Sequence, residues 1–175
     1  VFNDPLAKVH AMSIALSPAD PAYIFVAASS TDGANGYIKR VPKAGPATTA
    51  DNLVTGIYEA YDIIVAGDDV YWSQGDGVPQ NARGIGQASR KPGGGSSLIK
   101  TSVGQPDLLA ADATALYWNL YDQPGLWTAN RTAPANPREL LSSSVHGLAV
   151  DDAKLYLALG DNSGAGSITA MAKDG

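Results

Sequence analysis

The sequence predicts an all-β fold, a β-propeller of four blades, each a four-stranded antiparallel sheet, and three observations carry that prediction. One short pattern recurs four times along the chain. Gly, Pro and Asp interrupt it every few residues, which is the punctuation of short strands joined by tight turns. With 19 Gly and 11 Pro among 175 residues, no window is left for a long amphipathic helix.

The clearest two copies are Asp107–Trp118 and His146–Leu157, in which Leu109 falls on Leu148, Asp112 on Asp151 and Tyr117 on Tyr156. A third is Asp62–Trp72, and the most divergent starts at His10–Ala15 and resumes at Tyr23–Val26. Each is an inner strand, a turn and a second strand. A third segment then opens on Gly, at Gly36, Gly84, Gly125 and Gly166, with an apolar residue one or two places on. Short fourth segments follow at Leu53, Leu98 and Leu140. Four short strands per copy are what one propeller blade requires. The blades are expected at about 10–54, 61–100, 107–141 and 146–175, within a single domain over 1–175. The last copy stops after its third strand. Val9–Ile14 lies directly on Val145–Val150, so residues 1–9 are expected to complete blade 4 and close the ring, sparing it an unpaired edge.

Bulk properties narrow the function. A hydrophobic fraction of 45% is enough for a packed core. Charged residues make up only 17% and the net charge is −5, so no basic cluster exists to release counterions from a phosphate backbone, and nucleic acid is not an expected partner. No apolar run is long enough for a helix to cross a bilayer, and a membrane is not an expected partner either. Cysteine is absent, which removes disulfides and thiolate chemistry. The chain opens on Val1, which suits a processed, secreted or periplasmic protein.

The pattern Leu-Ala-Val-Asp, then Leu-Tyr-Trp, then Gly and Ile, followed by Lys91-Pro92-Gly93-Gly94-Gly95, resembles the repeats of bacterial secreted propeller proteins in the NHL and lactonase-like class. The resemblance covers nearly the whole chain. It implies the fold and leaves the activity open, because that class holds binding modules, lyases and hydrolases alike. The chain lacks the closing cysteine pair of hemopexin-like domains, which sets it outside that group.

In a propeller the inner strand begins on the face that carries the loops between the second and third strands. His10, Asp62, Asp107 and His146 stand at those starts, at equivalent places when the inner strands are aligned on Met12, Ile64, Leu109 and Leu148. Two imidazoles and two carboxylates form a mixed N/O donor set suited to one divalent ion of the Zn, Mn or Fe type. The same residues also suit capping of backbone groups at the strand ends. On that face Asp32, Asp76, Asp122 and Asp161 occupy the loops, where turn formation explains them well, since no EF-hand spacing is present. Tyr121 in the third of these loops offers a surface on which a sugar or peptide can stack. No nucleophile elbow, phosphate loop or zinc-protease helix occurs.

The expected function is therefore a non-catalytic binding module that presents the channel-mouth loops to a protein, glycan or small molecule. The alternative is a metal-dependent lyase or lactonase-type hydrolase with an ion at the channel mouth. If residues 1–9 complete blade 4, deleting them is expected to lower the melting temperature well beyond the effect of trimming an ordinary terminus.

Overall fold

The computed structural model describes residues 9–30, 36–44, 50–75, 83–99, 104–134, 136–160 and 165–175. Within them every regular element is a strand. Blade 1 is the meander β1 (Val9–Leu16), β2 (Tyr23–Ser30), β3 (Gly36–Pro42) and β4 (Asp51–Ile57). Blade 2 is β5 (Ala60–Ala66), β6 (Asp69–Gln74), β7 (Gly84–Ser89) and β8 (Ser96–Ile99). Blade 3 is β9 (Pro106–Ala111), β10 (Ala115–Leu120), β11 (Leu126–Asn130) and β12 (Arg138–Leu141). Blade 4 contains β13 (Val145–Val150), β14 (Lys154–Gly160) and β15 (Gly166–Ala172). Of residues 1–9, expected as its fourth strand, 1–8 lie outside the described residues and Val9 opens β1.

All pairings are antiparallel and follow chain order, because each two-strand turn is too short for a crossover. The chain divides into two compact units, Val1–Lys100 with blades 1 and 2, and Thr101–Gly175 with blades 3 and 4.

In each unit the two blades pack face to face. The face a blade turns toward the next one is called its front, and the other its rear. In the first unit, Ala15, Phe25, Ala27 and Ile38 on the front of blade 1 meet Ile63, Val70, Trp72 and Ala88 on the rear of blade 2, with Val65 against them. In the second, Ala110, Tyr117 and Leu126 on the front of blade 3 meet Leu155 and Leu157 on the rear of blade 4, with Leu148 and Val150 alongside. Strand alternation makes this possible, since successive side chains serve opposite faces and so each strand feeds two interfaces.

The backbone register corrects the sequence alignment at one point. Leu109 pairs with Trp118 and Leu148 with Leu157, but Ile64 pairs with Tyr71, and it is Ile63 that pairs with Trp72. The spacing from Ile63 to Trp72 equals that from Leu109 to Trp118, so blade 2 has no shortened turn. Asp62 is thereby the counterpart of Leu108 and Gly147, while Asp107 and His146 match Tyr61.

The glycines that open the third strands have a steric origin. A Cβ on Gly36 would lie 2.6 Å from the Ala28 carbonyl oxygen, and one on Gly84 2.5 Å from that of Ile99. Further along β7, Gly86 pairs with Trp72 and the indole occupies the space where a Cβ would stand. The indole of Trp72 is thereby buried, and its Nε1 donates to Gln74 Oε1 at 3.2 Å. Gly86→Ala is expected to destabilise the fold by about 1–3 kcal/mol through overpacking. Gly95→Ala, with nothing near its Cβ, is expected to be close to neutral. Urea unfolding of the two variants side by side checks the contrast.

Candidate functional site

Every inner strand carries one extra residue near its start. The irregularity falls between Ala11 and Ser13 in β1, Ala60 and Ile63 in β5, Pro106 and Leu109 in β9, and Val145 and Gly147 in β13. A bulge of this kind breaks the ladder, leaves an amide without its strand partner and re-aims a side chain. In blades 2, 3 and 4 the bulge contains Asp62, Asp107 and His146, three of the four residues singled out as metal ligands.

The amides that the bulges free are met by side chains from the second strands. Ser73 Oγ accepts from the Asp62 amide at 2.9 Å, and Asn119 Oδ1 accepts from the Leu108 amide at 2.7 Å. Asn119 is engaged at both ends of its amide, because its Nδ2 donates to the Val145 carbonyl of blade 4 at 2.8 Å. Ser29 plays the same part in the first unit. Its Oγ accepts from the Ala60 amide at 2.9 Å and donates to the Ala60 carbonyl at 3.2 Å. In blades 1 and 3, one buried polar side chain thus ties the blade to its successor.

Of the four proposed ligands, the three whose side chains are described fall into two surroundings. Asp62 Oδ1 accepts from Ser13 Oγ of blade 1 at 2.9 Å and from the Ile63 amide at 2.8 Å, so this carboxylate serves the contact between blades 1 and 2. The His10 side chain is outside the described residues. Asp107 and His146 share one cleft between blades 3 and 4, about 490 Å³ in volume, lined also by Asn119, Tyr121, Asp122, Gln123 and Ser144. Among the described residues, no three His, Asp or Glu side chains gather as a metal site. Of the loop residues, Asp32, Asp76 and Asp161 lie outside the described residues, while Tyr121 and Asp122 belong to this cleft.

The cleft's wall is held by local bonds. Asp122 Oδ1 accepts from the Gln105 amide at 2.9 Å, and the Tyr121 amide donates to the Gln105 carbonyl at 2.8 Å. Gly104, at a φ of 54°, passes so close to Asp122 that a Cβ would lie 2.6 Å from Oδ1. The loop is therefore anchored at its base, and the Tyr121 ring stands 70% exposed above it. Opposite, the His146 imidazole lies over Gly160, whose missing Cβ gives it room.

A second set of charges, not anticipated from the sequence, secures the other end of the blades. The residue after each third strand is basic: Lys43, Arg90, Arg131 and Lys173. Lys173 reaches back to Asp112 in the turn of blade 3 at 2.8 Å, and Arg90 reaches Asp20 in the turn of blade 1 at 3.4 Å. Burial opposes the charge on Asp112. Hydrogen bonds from Lys173, from the Thr114 and Ala115 amides and from Tyr117 Oη outweigh it and hold the carboxyl well below the usual carboxylate range. The buried Tyr117 hydroxyl, donating to that carboxylate at 3.0 Å, is pushed up to about 12. The signal was present in the sequence as a basic residue at one repeat position.

No family model matches the chain, and no curated protein matches it. Solved structures do. A chain of a nidogen/laminin complex superposes with a TM-score of 0.67 at 15% identity, covering 93% of this chain and 64% of that one. A prolyl endopeptidase superposes with a TM-score of 0.68 at 16% identity, covering 98% of this chain and 26% of that one. The computationally designed Ika4 protein superposes at 0.59 and 13% identity, covering 93% of this chain and 91% of that one. This chain therefore spans less than two thirds of the length of the first two. At these identities the likeness is one of fold: the chain is an all-β protein built of β-propeller blades.

A depressed carboxylate stabilises the fold above its unfolded value near 3.8, and that contribution is lost as pH falls below it. Asp112→Asn is expected to lower stability at neutral pH by about 1–3 kcal/mol. It is also expected to flatten the acid limb of the stability profile, as read by urea midpoints across a pH series.

Proposed function

We propose that this protein is a non-catalytic interaction module that presents the mouth-face loops of its blades to a protein partner. The observation that carries this reading is the cleft between blades 3 and 4, with Tyr121 exposed on an anchored loop beside Asp107, Asp122 and His146. An exposed aromatic on a fixed base supplies contact area at little entropic cost, and the carboxylates beside it favour a partner that offers Lys or Arg. The structural likeness to a chain of a nidogen/laminin complex, a protein–protein assembly, supports a partner of that kind. A glycan would use the same aromatic surface, with the carboxylates accepting from its hydroxyls.

The shared cleft of Asp107 and His146 favours one second reading, a divalent ion of the Zn, Mn or Fe type held there, with lyase or lactonase-type chemistry. An imidazole nitrogen and a carboxylate oxygen suit such an ion, which would polarise a carbonyl or activate water. Metal analysis of protein purified without chelator separates the two readings. A stoichiometric ion, lost in His146→Ala, would favour the second.

For the first reading, Lys/Arg-containing peptides and neutral oligosaccharides are arrayed as probes. Tyr121→Ala is expected to weaken binding by about tenfold or more, roughly 1.4 kcal/mol, with the fold intact. Asp107→Asn is expected to weaken the basic peptides and to spare the neutral sugars. Binding indifferent to both substitutions would remove the cleft from the function.

A further inference from the structure

The chain holds one guanidinium of its own between an aromatic ring and two carboxylates. Arg40, in β3, lies with its Cζ 4.1 Å from the centre of the Tyr23 ring. Its Nη2 and Nε donate to Asp51 Oδ2 at 2.8 and 3.2 Å, and its Nη1 reaches Asp20 Oδ2 at 3.4 Å. The two carboxylates come from separate elements, Asp20 from the turn after β1 and Asp51 from the start of β4. The cleft between blades 3 and 4 presents the same set of groups: the exposed ring of Tyr121, Asp122 next to it on the anchored loop, and Asp107 in the bulge of β9. No Lys or Arg is among the residues that line it. At the other end of the same two blades, by contrast, Asp112 is met by Lys173. The bond from the Gln105 amide to Asp122 Oδ1 fixes that carboxylate without exhausting it, because an ionised carboxylate accepts about four hydrogen bonds.

We propose that this cleft takes an arginine side chain of the protein partner, its guanidinium flat on the Tyr121 ring and its edge toward Asp107 and Asp122. The proposal rests on the reading of the cleft as a protein-interaction site and names what that site recognises. Arginine suits it better than lysine. A guanidinium is planar, so it covers an aromatic face while its N–H donors point outward in its own plane toward carboxylates on more than one side. An ammonium is a compact, strongly hydrated charge, and it gives up more water to enter a partly closed cleft. The volume of about 490 Å³ exceeds what one side chain fills, which leaves room for the backbone that presents it beside Gln123 and Ser144. The chain's net charge of −5 also favours the approach of a basic partner.

The probes are short peptides of Gly and Ser around a single central Arg, Lys or citrulline, titrated against the 175-residue chain and read by calorimetry and by the resonances of the Tyr121 ring. The Arg peptide is expected to bind and the Lys peptide to bind about tenfold more weakly. Citrulline keeps the shape and loses the charge, and it is expected to bind no better than Lys. Tyr121→Phe is expected to keep the preference for Arg, and Tyr121→Leu to reduce it to about threefold or less. Asp107→Asn and Asp122→Asn are each expected to weaken the Arg peptide severalfold and to leave citrulline unchanged. Asp122→Asn retains a side-chain oxygen for the Gln105 amide, so its melting temperature is expected to match the wild type. Equal binding of the Arg and Lys peptides, both weakened by Tyr121→Leu, overturns the arginine assignment and leaves the interaction module standing. An Arg preference that survives both Tyr121→Leu and Asp107→Asn puts the contact elsewhere and overturns it too. So does an Arg peptide that fails to bind while another peptide or an oligosaccharide binds in a Tyr121-dependent way. Failure of every probe to bind at the cleft removes the interaction reading as well.

Discussion

The structure depends on an extra residue in the inner strand of each blade. An antiparallel ladder tolerates such a residue only if the groups it releases find other partners, since an unpaired buried amide costs about as much as a lost hydrogen bond. Here the partner comes from the second strand. Ser73 and Asn119 receive the released amides, and the other end of Asn119 crosses to the Val145 carbonyl. Ser29 makes the matching crossing to Ala60. The irregularity that weakens a strand is therefore the source of the bonds that join neighbouring blades, and it also turns Asp107 and His146 toward the cleft.

Each pair of blades within a unit is then held at three levels. At the mouth face the polar clasp fixes the inner strands. In the middle, aliphatic and aromatic side chains exclude water, with Phe25 and Ile38 packed with Ile63 and Trp72 in one unit and Tyr117 with Leu155 and Leu157 in the other. At the opposite face a basic residue returns to the preceding turn, as Lys173 does to Asp112. Apolar packing supplies most of the favourable free energy, while the polar contacts at the two ends set the register in which blades meet.

Much of this was legible in the chain. The recurring Tyr of the second strands, the Gly opening each third strand and the turn Asp after each inner strand all mark real elements, and the strand order they imply is the one observed. Legibility failed where the signal was a matter of one residue. Ile63 and Ile64 are adjacent and both apolar, so periodicity alone did not decide which faces Trp72, and Asp62 was read as the counterpart of Asp107. The bulge adds to the ambiguity, since an unpaired residue resets the alternation that sequence patterns rely on. The clasp was hidden because Ser29 and Asn119 share the crossing to the next blade without sharing a residue type. The cleft was half visible: Tyr121, Asp122, Asp107 and His146 were each noted, but their meeting depends on tertiary packing between blades 3 and 4.

The clasp also limits how such a chain changes length. Because Asn119 satisfies a group of its own blade and one of the following blade, the piece that can be copied or removed without leaving a severed bond runs from one clasp to the next. Duplication of a whole blade reproduces both halves of the bond, whereas a gain or loss of a hairpin strands one half in an apolar interior. The array is thus quantised in blades by its hydrogen bonding, independently of how well its hydrophobic faces match.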